Sequence, residues 1–320
     1  TNDAGINGSG NTYIYIAIRR GPMAVPESAT DVFAIDNGIG STANPAFDSP
    51  FPVDFVIQKD QSGSATYVGS RLIGANYLEA SSTSAQTDDT GWVYDHMDGY
   101  YSGNRETDDY SWMWKRAPNY FDVVAYTGTG VARTVSHNLG VAPEMIWFKS
   151  RSNADNWVVY VPSLGNKKLY LNLTNAVTNA GGGDFNDTAP TSTVFSVGDG
   201  ADTNRSGGTH IAYLFASLDG VSKVGSYTGN GTTQNIDCGF SSGARFILIK
   251  RTDSSPYDWF VWDSERGIVA GNDPRLNLNT TNAEVTTQDD IDPYSSGFTV
   301  SSTSPGINTS GGSYIFYAIA

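Results

Sequence analysis

The residues able to do chemistry in this sequence are few, and their spacing is informative. Histidine occurs at three positions, His96, His137 and His210, and cysteine only at Cys238. A nucleophile–base pair needs a histidine held beside a serine or cysteine. His137 falls in a turn, and His210 at the edge of a strand whose counterparts elsewhere carry Tyr13 and Tyr314. Neither pattern reads as a triad, and so little Cys and His leaves no zinc set. Carboxylates are more plentiful. Asp95, Glu106, Asp108 and Asp109 lie among Trp92, Tyr94, Tyr100 and Tyr101, the densest acidic and aromatic neighbourhood in the chain. Exposed aromatic rings stack on sugar faces, so Trp92, Tyr94, Tyr100, Tyr101 and Asp108 are candidate glycan contacts; a solvated hairpin loop is the plainer reading. Paired carboxylates in a glycosidase meet in space rather than in sequence, so a depolymerase stays open. Asp289, Asp290 and Asp292 form a speculative Ca²⁺ cluster, as do Asp184 and Asp187, but neither has EF-hand spacing. No other cofactor is expected. Gly181-Gly182-Gly183 reads as a flexible loop, because no strand–loop–helix phosphate cradle surrounds it.

The bulk composition limits what could position these residues. Among 320 residues, 39% are hydrophobic and only 16% charged, with 35 Gly and 18 Tyr. Turn formers in place of Lys and Glu disfavour helix, and the aromatics favour sheet. The expected class is all-β. A net charge of −14 repels phosphate backbones and anionic bilayers, so neither nucleic acid nor membrane insertion is expected. No stretch approaches the ~20 apolar residues of a membrane-spanning helix. A single cysteine excludes an internal disulfide, leaving burial and oligomerisation to provide stability. The chain opens at Thr1 rather than Met, as a fragment or processed product would.

Internal repetition organises the chain. Tyr126-Thr127-Gly128 recurs as Tyr227-Thr228-Gly229, Ile146 to Lys149 as Ile247 to Lys250, Trp157-Val158-Val159 as Trp259-Phe260-Val261, and Ile211 to Ala216 as Ile315 to Ala320. The spacing is roughly a hundred residues, that of a small domain. A more divergent copy precedes them: Phe55 to Lys59, Tyr67-Val68, Thr83-Ser84-Ala85 and Tyr110 to Trp114. This predicts repeats over 21–119, 120–219 and 220–320, each a jelly-roll-like β-sandwich, in an elongated tandem. Residues 1–20 then read as the closing strand of an upstream repeat, because Tyr13 to Ile18 resembles Tyr314 to Ile319. Asn37-Gly38 and Asn230-Gly231 predict type I′ hairpin turns. Phe246 to Ile249 and Tyr314 to Ile319 are apolar on both faces, whereas a half-exposed strand alternates. Their second face must be covered by a loop of the same repeat, by the next repeat or by another subunit; the last predicts a homo-oligomer, with a trimer favoured.

The segments Asp109 to Arg116, Phe121 to Gly130, Thr134 to Met145 and Tyr213 to Gly229 resemble tandem-repeat tail-fibre and adhesin-like virion proteins of marine, cyanobacterial bacteriophages. The likeness is strong over 109–320 and weak over 21–108. It implies a structural, non-enzymatic part of a virion appendage, extracellular or on the virion surface, trimeric as phage fibres often are. Its partners would be other virion proteins and a host-surface glycan or receptor. A capsid decoration or head fibre and a surface polysaccharide depolymerase are the alternatives. The resemblance carries no catalytic residues.

Overall fold

The structure, a computed structural model, describes residues 23–38, 44–103 and 109–320. It is all-β, built from antiparallel sheets. The expected closing strand at 13–18 lies outside the described residues.

Three large sheets share one strand order. In the first, Phe33–Asn37 pairs with Asp109–Trp114, followed by Phe55–Asp60, Tyr67–Ser70, Asn76–Glu79 and Thr87–Asp88. In the second the same order runs Phe121–Thr127, Thr209–Phe215, Met145–Ser150, Val158–Tyr160, Lys167–Tyr170 and Thr178–Asn179. In the third it runs Ser222–Thr228, Ser313–Ile319, Phe246–Arg251, Trp259–Asp263 and Leu276–Asn277. A smaller sheet accompanies each: Phe47–Asp48 with Gly99–Tyr100, Arg133–Ser136 with Val194–Val197, and Gln234–Asp237 with Gly297–Val300 and Ile291–Tyr294. We call each large sheet with its small one a module.

Phe55–Asp60, Met145–Ser150 and Phe246–Arg251 are buried along their whole length, and alternation explains how. Successive side chains point to opposite faces. Ile146, Phe148, Ala212 and Leu214 pack with Val135, Phe195 and Val197 of the small sheet, which is the sandwich layer. Met145, Trp147, Tyr213 and Phe215 instead join a core shared by all three modules. The two-faced strands therefore find their second cover within the chain. Ring contacts close this core on itself: Phe55 meets Tyr213 at 4.5 Å, Phe215 meets Tyr317 at 5.0 Å, and Phe246 meets Trp114 at 5.5 Å between centroids. First touches second, second touches third, and third touches first. The elongated arrangement is thus replaced by a closed ring, in which the inner aromatic faces of three modules pack on one another around a common centre.

The seams repeat the same polar bonds. Gln86 N–H donates to Arg151 C=O, Val177 N–H to Thr252 C=O, and Glu284 N–H to Gln61 C=O, each at 2.8 to 2.9 Å. Trp157 Nε1 donates to Glu79 C=O at 2.8 Å and Trp259 Nε1 to Tyr170 C=O at 2.9 Å.

Three local expectations give way. Gly181–Phe185 is a short helix rather than a loop. Asn230-Gly231 is not a type I′ turn: Gly231 has φ +71° but Asn230 is not left-handed, and that turn needs both. Asn37 ends a strand opposite Tyr110, and Gly38 N–H donates to Asp109 C=O instead of turning back at once.

Candidate functional site

The structure brings together most of the aromatic residues singled out from the sequence, but it buries them. Tyr100 stacks between Phe47 (5.0 Å), Trp92 (5.8 Å) and Tyr94 (5.8 Å). Tyr100 is fully buried, and Trp92 and Tyr94 are each only 5% exposed. They are sandwich core of the first module, not a stacking surface for sugar. The cause is Gly69. Its register position holds Tyr160 in the second module and Trp262 in the third. A Cβ on Gly69 would lie 2.1 Å from the Tyr94 hydroxyl and 2.6 Å from the Trp92 ring. A missing sheet side chain is thus replaced by two rings brought in from residues 92–94. Tyr101 is half-buried and bridges back to Val93. Asp108, with Glu106, lies outside the described residues.

The proposed Ca²⁺ ligands do not converge. Asp290 is buried and faces the Arg275 guanidinium at 2.6 Å, so its cation is already supplied. Asp289 is exposed and accepts from Ser301 Oγ, while Asp292 sits on a strand opposite Thr299. Asp184 pairs with Lys168 at 2.6 Å, and Asp187 accepts from Asn166. Among the described residues no three His, Cys, Asp or Glu side chains form a metal-holding group.

Cys238, His210 and His137 are all buried. Cys238 is buried, which pushes its thiol up to about 12, away from the thiolate a nucleophile needs. His210 is fully buried, held down to about 4 by desolvation, and stacks on Tyr126 at 5.3 Å. Burial also lowers His137, whose Nε2 lies 3.1 Å from Thr191 C=O.

A concave site forms instead where the second module meets the third. Two adjoining clefts of about 540 and 660 Å³ share Ser163, Ser226 and Tyr227. One wall is the edge strand Ser222–Thr228; the other is the turn Pro162–Leu164 of the second module. Glu144, Lys223, Asn235 and Asp237 surround one end, and Lys167, Thr252 and Asp253 the other. The edge strand is largely capped. Ser217 Oγ accepts from Val224 N–H at 3.0 Å and donates to Val224 C=O at 3.4 Å. Leu218 exchanges both backbone bonds with Ser222, and Gln234 Nε2 donates to Thr228 C=O at 3.4 Å. Ser226 N–H and C=O, on the same open side, meet no partner among the described residues. The Tyr227 hydroxyl turns inward to Ile307 C=O at 2.6 Å, and its half-buried ring stacks on Tyr314 at 4.9 Å. Sequence reasoning missed this site because its walls come from separate modules, and nothing in Ser163 or Ser226 marks them until the ring closes.

Residues 51–320 match the model of a family described as Domain of unknown function (DUF7483), and the chain belongs to that family. No curated protein matches it.

Proposed function

We propose that the chain is a structural and binding component of a bacteriophage virion appendage, a tail fibre or related adhesin exposed outside the cell, that contacts host-surface glycan. The observation that carries this is the long-string resemblance to tandem-repeat virion proteins over residues 109–320. Those strings supply the closing and opening strands of adjacent sheets, Asp109–Trp114 and Phe121–Thr127. They therefore encode the framework rather than a reaction centre. A ring with a common core is suited to presenting surface loops rigidly. Immunogold labelling of native particles tests the reading: label on tail fibres is expected, label confined to the capsid would favour a decoration protein, and unlabelled particles would overturn it.

One observation favours a second reading, a polysaccharide depolymerase: Glu144 and Asp237 line the same cleft. Both carboxylates already accept backbone bonds, Glu144 from Ser217 N–H and Asp237 from Gly239 N–H. We therefore place binding ahead of cleavage. Reducing-end release from host polysaccharide that disappears in Asp237→Asn would reverse that order.

A further inference from the structure

We infer that the groove between the second and third modules is a binding site for a neutral hexose chain, an assignment that rests on the glycan-contacting reading above and gives it a location and a ligand class.

The argument starts from what the groove cannot take. An open strand edge ordinarily recruits another strand. Strand addition uses the outward N–H and C=O of every second residue. Along Ser222–Thr228 these belong to Ser222, Val224, Ser226 and Thr228. Leu218 occupies Ser222, Ser217 occupies both groups of Val224, and Gln234 occupies Thr228 C=O. A peptide would find the pair of bonds at Ser226 and the N–H of Thr228, with every outward group of Val224 and Ser222 already occupied. The edge is too short to hold a strand yet keeps a donor and an acceptor at Ser226.

What stays open matches a sugar. A hexose ring presents hydroxyls that each donate and accept, at the spacing of neighbouring polar atoms, and an apolar C–H face. Ser226 offers N–H, C=O and Oγ. Asn235 accepts from Thr299 Oγ1 through Oδ1 at 2.8 Å, so its amide nitrogen can donate. Asp237 has accepting capacity beyond its one backbone bond. Tyr227, half-buried with its ring stacked on Tyr314 at 4.9 Å, and the Phe316 ring that fills the space beside Gly225 provide an apolar floor. Two clefts joined through Ser163, Ser226 and Tyr227 accommodate a chain rather than a single ring. Charge sets the class: the protein carries −14 overall, which disfavours a polyanionic glycan, and the groove holds cations and carboxylates together. At the matching edge of the second module, Val124 and Ala125 replace Gly225 and Ser226 and Ala212 replaces Phe316, so the ring and the hydroxyl are lost there. One site per chain is expected.

The test is calorimetric titration of the intact chain with hexamers of β-1,3-glucan, β-1,4-glucan, α-1,4-glucan and agarose. At least one is expected to bind at one site per chain. Asn235→Ala with Asp237→Ala should weaken it by about tenfold or more, the scale of one or two lost polar contacts. Ser163→Trp, an exposed position on the opposite wall, should block it sterically and serves if the double variant does not fold. Tyr67→Ala, on the first module, should leave binding unchanged. No binding by any hexamer, or binding that Ser163→Trp leaves intact, overturns this assignment while the appendage reading stands on immunogold labelling. Unlabelled particles with hexamer binding intact would sink the appendage reading and spare the groove.

Discussion

The ammonium of Lys59 in the first module lies 2.8 Å from the carbonyl oxygen of Thr280 in the third. Lys149 reaches Thr83 C=O of the first module, and Lys250 reaches Thr174 C=O of the second, each at 3.1 Å. The three lysines occupy the same inner-face position and are fully buried. Each also bonds a carbonyl of its own module: Ser64, Asp155 and Tyr257, respectively. A buried ammonium is tolerated only when its donors are satisfied, so each lysine ties the end of its strand to the preceding module around the ring.

That arrangement sets a pH dependence. Desolvation lowers each of the three lysines from 10.5 to about 8. Between those values the unfolded chain binds more protons than the folded one. Stability should therefore rise with pH across that window, by about 1.4 kcal/mol per pH unit for each lysine. Buried Tyr94, Tyr120, Tyr213 and Tyr317 are pushed above 10. Above about pH 10, the ordinary tyrosine value, the unfolded chain loses protons that the folded chain keeps, and stability should fall. Thermal melts from pH 7 to 11.5 should show a maximum near pH 10, and Lys250→Met should make the rising limb shallower. A flat or falling profile between pH 8 and 10 would contradict the lysine assignment.

The seam joining the third module back to the first carries a buried ionic cluster. Arg266 bonds Asp263 at 2.7 Å and Glu284 at 2.8 Å, with both guanidinium and Asp263 side chains unexposed. Trp112 Nε1 of the first module donates to the same Asp263 at 2.9 Å. Removing one partner strands a buried charge, so Arg266→Met should cost about 3–5 kcal/mol. Arg205, 40% exposed and paired with Asp155, should lose far less when changed to Met, because water screens an exposed ion pair. Urea unfolding of both variants checks the contrast, which equal losses would refute.

Ring closure also bears on assembly. Two-faced strands pointed to a second subunit because a sequence does not say which surface covers them. The shared core now covers those faces within one chain, so the apolar argument for a homotrimer no longer applies. Light scattering at micromolar concentration is expected to give the mass of a single chain. A threefold mass would locate an interface on the outer surface instead.

The all-β class was readable in composition, and the closing strand Tyr314 to Ile319 in its continuous apolar run. The positions of Trp92, Tyr94 and Tyr100 were not. Their types fit a sugar platform, and only the gap left by Gly69 in another strand turns them inward. The groove at Ser226 was equally silent, since its opposite wall at Ser163 belongs to another module. Local pattern reports which face is apolar; it does not report what comes to lie against it.

A compensated pair between two modules offers the sharpest test of their equivalence. In the second module Val124 sits across from Ala212, and at the same register in the third Gly225 sits across from Phe316. A Cβ on Gly225 would lie 2.4 Å from the Phe316 ring, so the large residue occupies the space its partner vacates. Gly225→Val alone should therefore overpack and cost about 1–3 kcal/mol. Phe316→Ala alone should leave a cavity and cost about 3–5 kcal/mol. The double variant Gly225→Val with Phe316→Ala recreates the second module's pair, and its loss should be smaller than the sum of the two single losses by about 1 kcal/mol or more. Urea denaturation of the four proteins closes the cycle. Strict additivity would mean that the two residues do not share one space, and that the third module is not packed as the second is.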